Sequence, residues 1–242
     1  MRTGITLYSA TNEWVTRRYD LESLLAAVAE RGVGPGVEIV GFQTIRTFPD
    51  VTDDFVREWE RMMSKYSLLP TCLGSNVDVA QRSDRLLNND EMVASLERQI
   101  TTASRLGFGI VRIQIGANED VIERVAPTAE RLGILLGMEL HAPEGACTPA
   151  ILKVRQAYDR IGSANLGFIP DFSATMRAVP QGKLNQLRSV GLPEVWAGRL
   201  VEEWGGDGAP FERFGRFARA ATAAGVAKEA VDAAMMVFTM NG

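Results

Sequence analysis

The amino-acid sequence predicts an α/β fold in which parallel strands alternate with helices and curl into a TIM-barrel-like barrel. Three observations favour it. Six short apolar runs are separated by amphipathic stretches. The six strand–helix repeats fill residues 1–174, roughly 29 residues each, which is the size of a βα unit. No GxGxxG or P-loop motif follows the first strand, which disfavours a nucleotide-binding open sheet.

The predicted strands are apolar at both odd and even positions for most of their length. That pattern is typical of strands covered on both faces, as in a parallel sheet that carries helices. Consecutive parallel strands need right-handed crossovers, which the intervening helices supply. The six strands are predicted at Ile5–Ser9, Val37–Phe42, Leu69–Leu73, Ile110–Ile115, Leu135–His141 and Leu166–Phe172.

The helices between the strands begin and end at typical capping residues. The first long helix begins at Asp20 and ends at Gly32, a residue that favours the left-handed C-terminal cap. Pro127 lies within the fourth, at Glu119–Leu132, and predicts a kink. The fifth opens at Thr148-Pro149, with the cap residue before the proline.

Residues 175–242 differ from the rest because they are almost wholly helical in pattern. Only Met235–Thr239 has the composition of a strand. We therefore expect one domain over 1–242, with six clear βα units, a helical tail and no evident counterpart of the last two strands of an eight-stranded barrel. The predicted tail helices are Lys183–Val190, Pro193–Glu203, Pro210–Ala224 and Ala227–Phe238.

Composition and charge exclude several classes of protein. Lys and Arg number 26 against 30 for Asp and Glu, which gives a net charge of −4 and no basic footprint for nucleic acid. Cys72 and Cys147 form no CxxC pair, and the chain has one histidine, so a zinc-finger site is excluded. With no secretory or bilayer-spanning segment, we expect a cytoplasmic protein without a membrane partner.

Polar residues at the predicted strand ends indicate a site, because barrel active sites form there. Glu139 and His141 point to the same side of the fifth strand, and Asp171 ends the sixth. Neighbouring strands lie about 4.8 Å apart, so these groups are candidates to hold Mn²⁺, Mg²⁺, Zn²⁺ or Fe²⁺. An alternative stays open: Glu139 pairs with Arg112 inside the barrel, and His141 is an ordinary loop-edge histidine.

Three further residues are candidates for substrate binding. Arg112 and Gln114 lie on one side of the fourth strand, where they can bind sugar hydroxyls or a phosphate. Trp14 follows the first strand and is a candidate for the pocket wall, as is Phe42; both are equally compatible with a place in the core. Glu38, near the start of its strand, is expected to be structural.

Two motifs carry a family resemblance: Glu-Leu-His-Ala-Pro at 139–143 and Ile-Pro-Asp-Phe-Ser at 169–173. Together with Gly-Val-Glu-Ile at 36–39, their order and spacing resemble the xylose-isomerase-like superfamily of sugar phosphate isomerases and epimerases. The resemblance covers about seven tenths of the chain. Leu-Tyr-Ser at 7–9 adds a similarity to the large subunit of bacterial C-glycoside deglycosidases, metal-dependent lyases with a small β-sandwich second subunit.

The resemblance implies a divalent metal ion with ligands on the fifth to eighth strands. Glu139 and Asp171 match the first two ligand positions, whereas the seventh-strand histidine and eighth-strand glutamate have no counterpart, since His141 is the sole histidine. It also implies proton abstraction beside a sugar carbonyl, with Glu139 and His141 as the catalytic residues. Oligomers are the norm in this superfamily, so a homo-oligomer is expected.

Three functions follow from the resemblance and stay open at this point. The first is a metal-dependent sugar isomerase or epimerase. The second is a C-glycoside lyase subunit that works with a small second subunit. The third is a non-catalytic sugar-binding or scaffold subunit with an incomplete metal site. A DNA-repair nuclease of the same fold is not expected, because that chemistry uses a histidine-rich zinc site.

Overall fold

Six strands form one sheet in chain order in the computed structural model, which describes residues 3–76, 79–80, 82–114, 116–141 and 145–241. Each pair from the first strand to the fifth is parallel. This confirms the predicted six βα units. The strands are β1 Gly4–Thr6, β2 Gly36–Val40, β3 Leu69–Gly74, β4 Ile110–Ile113, β5 Leu135–Leu140 and β6 Leu166–Pro170.

Eleven helices are present in the described part of the chain, and the last four confirm the predicted helical tail. They are α1 Thr11–Val15, α2 Leu21–Arg31, α3 Gly41–Thr44, α4 Asp53–Tyr66, α5 Asn89–Arg105, α6 Glu119–Leu132, α7 Pro149–Ile161, α8 Gln181–Ser189, α9 Glu194–Trp204, α10 Pro210–Ala223 and α11 Lys228–Asn241.

Helix α2 shows how the local sequence sets these bounds. The Asp20 side chain accepts a hydrogen bond from the Ser23 backbone N–H, and the Ser23 hydroxyl caps Asp20 in return. Gly32 ends the helix with φ of 62°, the left-handed conformation that glycine adopts without strain. Pro127 lies within α6, which continues to Leu132, and the predicted kink stays a prediction.

Several predicted strand ends were wrong because tight turns begin earlier than the apolar runs end. After β1 the Thr6 hydroxyl caps a 3₁₀ turn at Leu7–Ala10, so the strand is shorter than Ile5–Ser9. Phe42 belongs to α3, and His141 and Phe172 lie beyond β5 and β6. The strand-like Met235–Thr239 is part of α11, and Ile115 lies outside the described residues.

The two faces of the sheet differ sharply. On one face, seven apolar side chains are fully buried and pack into the main core: Val37, Ile39, Leu73, Val111, Ile113, Leu136 and Met138. The other face is where the register places Glu38 opposite Cys72 and Arg112 opposite both Gly74 and Gly137. Because successive side chains alternate, this second face collects the charged residues.

The chain divides into two compact units. The first comprises Met1–Glu139 and Leu152–Ile169, and its core includes Trp59, whose ring lies 5.6 Å from that of Phe108. The second comprises Leu140–Ile151 and Pro170–Gly242. Its core is formed by the tail helices around Leu200, Trp204, Phe217 and Phe238. A single domain over the whole chain stays a prediction.

No helix in the described ranges is both long and apolar enough to cross a bilayer.

Candidate functional site

Arg112 is the centre of a cluster of charges on the polar face of the sheet. Its Nε and Nη2 donate to Glu38 Oε1 at 3.1 and 2.9 Å, and its Nη1 donates to Glu139 Oε2 at 2.5 Å. One guanidinium on β4 therefore joins β2 to β5. This is the Arg112–Glu139 pair that the sequence left open as an alternative. Glu38, expected to be structural, holds the other edge of the guanidinium.

The guanidinium reaches β2 because the strand between them lacks a side chain at one position. Gly74 of β3 lies opposite Arg112, and a Cβ at residue 74 would be 3.0 Å from Nη2. Any larger residue there would compete with the guanidinium for space. Glycine at this position is thus part of the site.

Burial and charge oppose each other in this cluster. The side chains of Arg112, Glu38 and Glu139 are only 14%, 23% and 11% exposed. Burial acts to lower the pKa of Arg112, but the two carboxylates outweigh it, so the pKa is raised and the guanidinium stays charged. Cys72, next to Glu38, has its thiol pKa raised to about 12, first by burial and then by the Glu38 charge.

The cluster has unused hydrogen-bonding capacity toward a ligand. A guanidinium has five N–H donors, and these carboxylates use three. Neither Glu38 Oε2 nor Glu139 Oε1 has a hydrogen bond with any described residue. Within the described residues, two N–H donors of Arg112 and one oxygen of each carboxylate therefore have no hydrogen-bond partner.

The other predicted site residues occupy different positions. His141 directly follows β5 and is exposed. Asp171 follows β6; its carboxylate accepts from the Ser173 N–H at 2.7 Å and so caps a 3₁₀ turn. The backbone N–H of Asp171 donates to the Leu140 carbonyl at 3.1 Å. Ala142 and Pro143 of the first motif lie outside the described residues.

The two remaining substrate-binding candidates are also placed. Gln114 lies just past β4, with an exposed side chain. Trp14 is on α1, half-buried against the main core. Their predicted contact with substrate stays a prediction.

The residues present do not by themselves fit a complete divalent-metal site. Within the described ranges, no group of three or more His, Cys, Asp or Glu side chains is arranged to hold an ion. One oxygen of Glu139 is engaged by Arg112. Glu139 and Asp171 as metal ligands stay a prediction of the sequence.

The sequence contains a signal for the role of Glu38 that strand-by-strand patterning does not resolve. Glu38 and Arg112 are charged residues within otherwise apolar strands, each flanked by fully buried neighbours. A charge in such a strand needs a partner on the same face. The register that makes them partners becomes visible only in the structure.

No family profile matches the chain, but curated proteins do. It is 42% identical over 201 residues to a C-glycoside deglycosidase alpha subunit of Arthrobacter globiformis, covering 83% of this chain and 57% of that one. It is 38% identical over 203 residues to a 3'-dehydrocarminate deglycosidase alpha subunit of Microbacterium sp, covering 84% and 58%. The chain thus spans just over half the length of these relatives.

Solved structures show the fold alone. A D-psicose 3-epimerase of Clostridium cellulolyticum H10 matches with a TM-score of 0.51 at 14% identity, over 72% of this chain and 65% of that one. A D-tagatose 3-epimerase-like protein matches with a TM-score of 0.50 at 19% identity, over 72% and 66%.

Proposed function

Because this chain belongs to the xylose-isomerase-like superfamily and is similar to C-glycoside deglycosidase alpha subunits, we propose that it is the sugar-processing subunit of an enzyme that cleaves C-glycosides. The observation that carries the proposal is the 42% identity with such a subunit over 83% of the chain. That relative is an alpha subunit, which supports a second subunit as the partner of this chain. The proposal favours the lyase over the isomerase or epimerase.

The chemistry follows from a ketone on the sugar ring. The Microbacterium relative is named for a 3'-dehydro substrate, which carries a carbonyl at C3'. We assign the same substrate class to this chain. The carbonyl acidifies the proton at C2', whose removal gives an enolate. The enolate then collapses, C1'=C2' forms, the C1'–aglycone bond breaks, and the aglycone carbon takes a proton. No oxidant or reductant is consumed.

Arg112 is the residue to stabilise that enolate. Its two remaining N–H donors are held in a fixed orientation by Glu38 and Glu139, in a mostly buried site. Loss of one hydrogen-bond donor that is already oriented toward a developing oxyanion typically lowers kcat by about 10²–10³-fold. The remaining carboxylate oxygens of Glu38 and Glu139 accept hydrogen bonds from the neighbouring sugar hydroxyls.

His141 is assigned the proton transfer in this proposal. An imidazole can both accept and donate a proton, which suits removal of the C2' proton and its delivery to the aglycone. Its support is the sequence motif and its exposed position at the end of β5. His141→Gln is expected to abolish exchange of the C2' proton.

The test uses the purified chain and an aromatic C-glycoside oxidised at C3', in D₂O. We expect deuterium to enter C2' and free aglycone to appear by chromatography. Arg112→Lys should lower the release rate about 100-fold, since lysine cannot reproduce the fork of the guanidinium. Arg57→Lys, an exposed arginine on α4, is the matched control.

The outcomes separate the three functions. Deuterium exchange or a C2' epimer without aglycone release would favour the isomerase or epimerase. Sugar binding by calorimetry without exchange would favour the scaffold subunit. Release only after a small partner subunit is added would assign that step to the assembled enzyme.

A further inference from the structure

A cavity of about 620 Å³ opens beside the carboxyl ends of β2 and β3, the end of a parallel sheet where barrel active sites form. One wall is apolar, and the other is formed by residues of α5, of which Ala94 and Arg98 are exposed. The lining also includes Phe42, Phe48, Asn76 and Gln99.

The apolar wall depends on a glycine. Gly41 directly follows β2, and a Cβ there would lie 2.1 Å from the ring of Phe48. The Phe48 ring therefore packs against the bare backbone of residue 41. The ring of the next residue, Phe42, is left 56% exposed at the cavity. An exposed aromatic ring beside a partly buried one offers a stacking surface.

The polar wall is a buried amide network attached to β3. Gln99 is 1% exposed, and its Oε1 accepts from the Ser75 hydroxyl at 2.5 Å and the Asn76 N–H at 3.2 Å. Its Nε2 donates to the Asn76 carbonyl at 3.1 Å. The Ser75 N–H in turn donates to the Arg112 carbonyl at 2.8 Å. The cavity wall is thus joined by hydrogen bonds to the strand that carries Arg112.

The charges at the cavity are already neutralised. Arg98 pairs with Asp50, and Glu91 pairs with Arg85 through both carboxylate oxygens. A ligand here meets aromatic rings, amides and paired charges, and so should itself be uncharged. The volume lies within the range of about 300–1,000 Å³ for small-molecule sites.

We propose that this cavity binds the aglycone of the substrate, a neutral, planar, phenolic ring system, by stacking on Phe42 with a hydrogen bond to the Asn76 side chain, which the Gln99 network holds in place through the Asn76 backbone. The inference rests on the proposed function, which supplies a substrate that joins a sugar to such a ring. The sugar would lie at Arg112 and the ring at Phe42.

The kinetic test compares two substrates that differ in the aglycone alone. Phe42→Ala should raise KM about 10-fold for an aromatic C-glucoside oxidised at C3', with kcat changed less than twofold. It should leave C2 deuterium exchange unchanged in 1,5-anhydro-3-ketoglucitol, which has no aglycone. Phe211→Ala, an exposed phenylalanine on α10, is the matched control. Equal effects of Phe42→Ala on both substrates would overturn the inference.

A binding test works without turnover. Unsubstituted flavone, titrated by calorimetry, should bind in the micromolar range, and Phe42→Ala should weaken it about 10-fold. Ala94→Trp places a large side chain at an exposed position of the cavity wall, where folding is unaffected, and should block binding. Flavone that binds the wild type and Ala94→Trp equally would contradict the inference. If no 3-keto sugar is turned over, the proposed function is wrong, but the flavone titration still shows whether the cavity binds an aromatic ring system.

Discussion

Arg112 is the residue on which the candidate site depends, because it neutralises two carboxylates on the same face of the sheet. Arg112→Met should lower the free energy of unfolding by about 2–4 kcal/mol, since it leaves Glu38 and Glu139 mostly buried without a cation. Urea denaturation measures this.

The matched control is Arg57→Met, at an exposed ion pair that should contribute less than about 1 kcal/mol. Adding Glu38→Gln to Arg112→Met should restore part of the loss, because it removes one uncompensated charge. Equal stability of the two single variants would contradict the assignment of Arg112 as the core of the cluster.

Cys72 and Cys147 should differ in reactivity. Burial and the Glu38 charge raise the pKa of Cys72 to about 12, so its thiol stays protonated at pH 8 and forms almost no thiolate. Cys147 is exposed. An aromatic disulfide reagent at pH 8 should titrate one thiol in the native protein and two after unfolding. Cys147→Ser should leave none, and a fast second thiol in the native protein would contradict the burial of Cys72.

At this scale the sequence predicts which residue types lie at strand ends, but not which of them meet. The alternation of side chains along a strand places Glu139 and Arg112 on the polar face of the sheet. It does not decide whether Glu139 pairs with Arg112 or binds a metal ion. The decision depends on strand register, since Gly74 must lie opposite Arg112 for the guanidinium to pass. The pairing register of strands that lie far apart in sequence depends on the whole fold, so local sequence patterns do not predict it.

Among the elements, α2 and α4 are joined by Glu22, which accepts from Arg61 and Lys65. Arg61 first, and then Lys65, lower the pKa of Glu22 to about 2. A carboxyl group whose pKa is lower in the folded than in the unfolded protein stabilises the fold at any pH above its unfolded-state pKa. This stabilisation is lost as the pH falls through the folded-state pKa. Glu22→Gln should therefore reduce the urea midpoint at pH 7 and change it much less at pH 2, where most of the stabilisation from the carboxylate is already lost.

Glu60→Gln, at an exposed position of α4, controls for the loss of a surface charge. A difference between Glu22→Gln and wild type that is the same at pH 2 and pH 7 would contradict the ion-pair assignment.

Helix α9 contains a glycine that its packing does not require. Gly198 is exposed in the helix interior, and a Cβ there would contact nothing within 4 Å. Gly198→Ala should stabilise the protein by about 0.5–1 kcal/mol, because alanine loses less backbone entropy on folding. Thermal unfolding measures the gain. Gly4→Ala should instead destabilise, since its Cβ would lie 2.4 Å from the Gly36 carbonyl oxygen.

The sequence predicts which segments are strands and which are helices, because this depends on local hydrophobic periodicity. It predicts the residues at which they end less well. All six strands and the tail helices follow from hydrophobic patterning and caps such as Asp20 and Gly32. The ends of β1 and β2 were predicted too late, because Leu7 and Phe42 are apolar yet belong to the turns that follow.

Over the whole molecule, the sequence predicts the order of elements, while the division into two units is a property of the folded chain. Residues Leu140–Ile151 belong to the same unit as the tail helices, although in sequence they run from the last residue of β5 to the first turn of α7. Nothing in their composition distinguishes them from the other loops. The contacts that assign them are long-range, which local patterning does not report.

The gap at Gly74 also bears on how the chain finds its fold. A slip of β4 by two residues against β3 would bring Ile110 or Gln114 opposite Gly74. The two glutamates that pair with Arg112 would then lack their cation. Apolar faces alone tolerate such a two-residue shift, since parity is kept. The guanidinium thus disfavours a misaligned pairing of β3 and β4, so a substitution that loosens it would also lower the accuracy with which these strands pair.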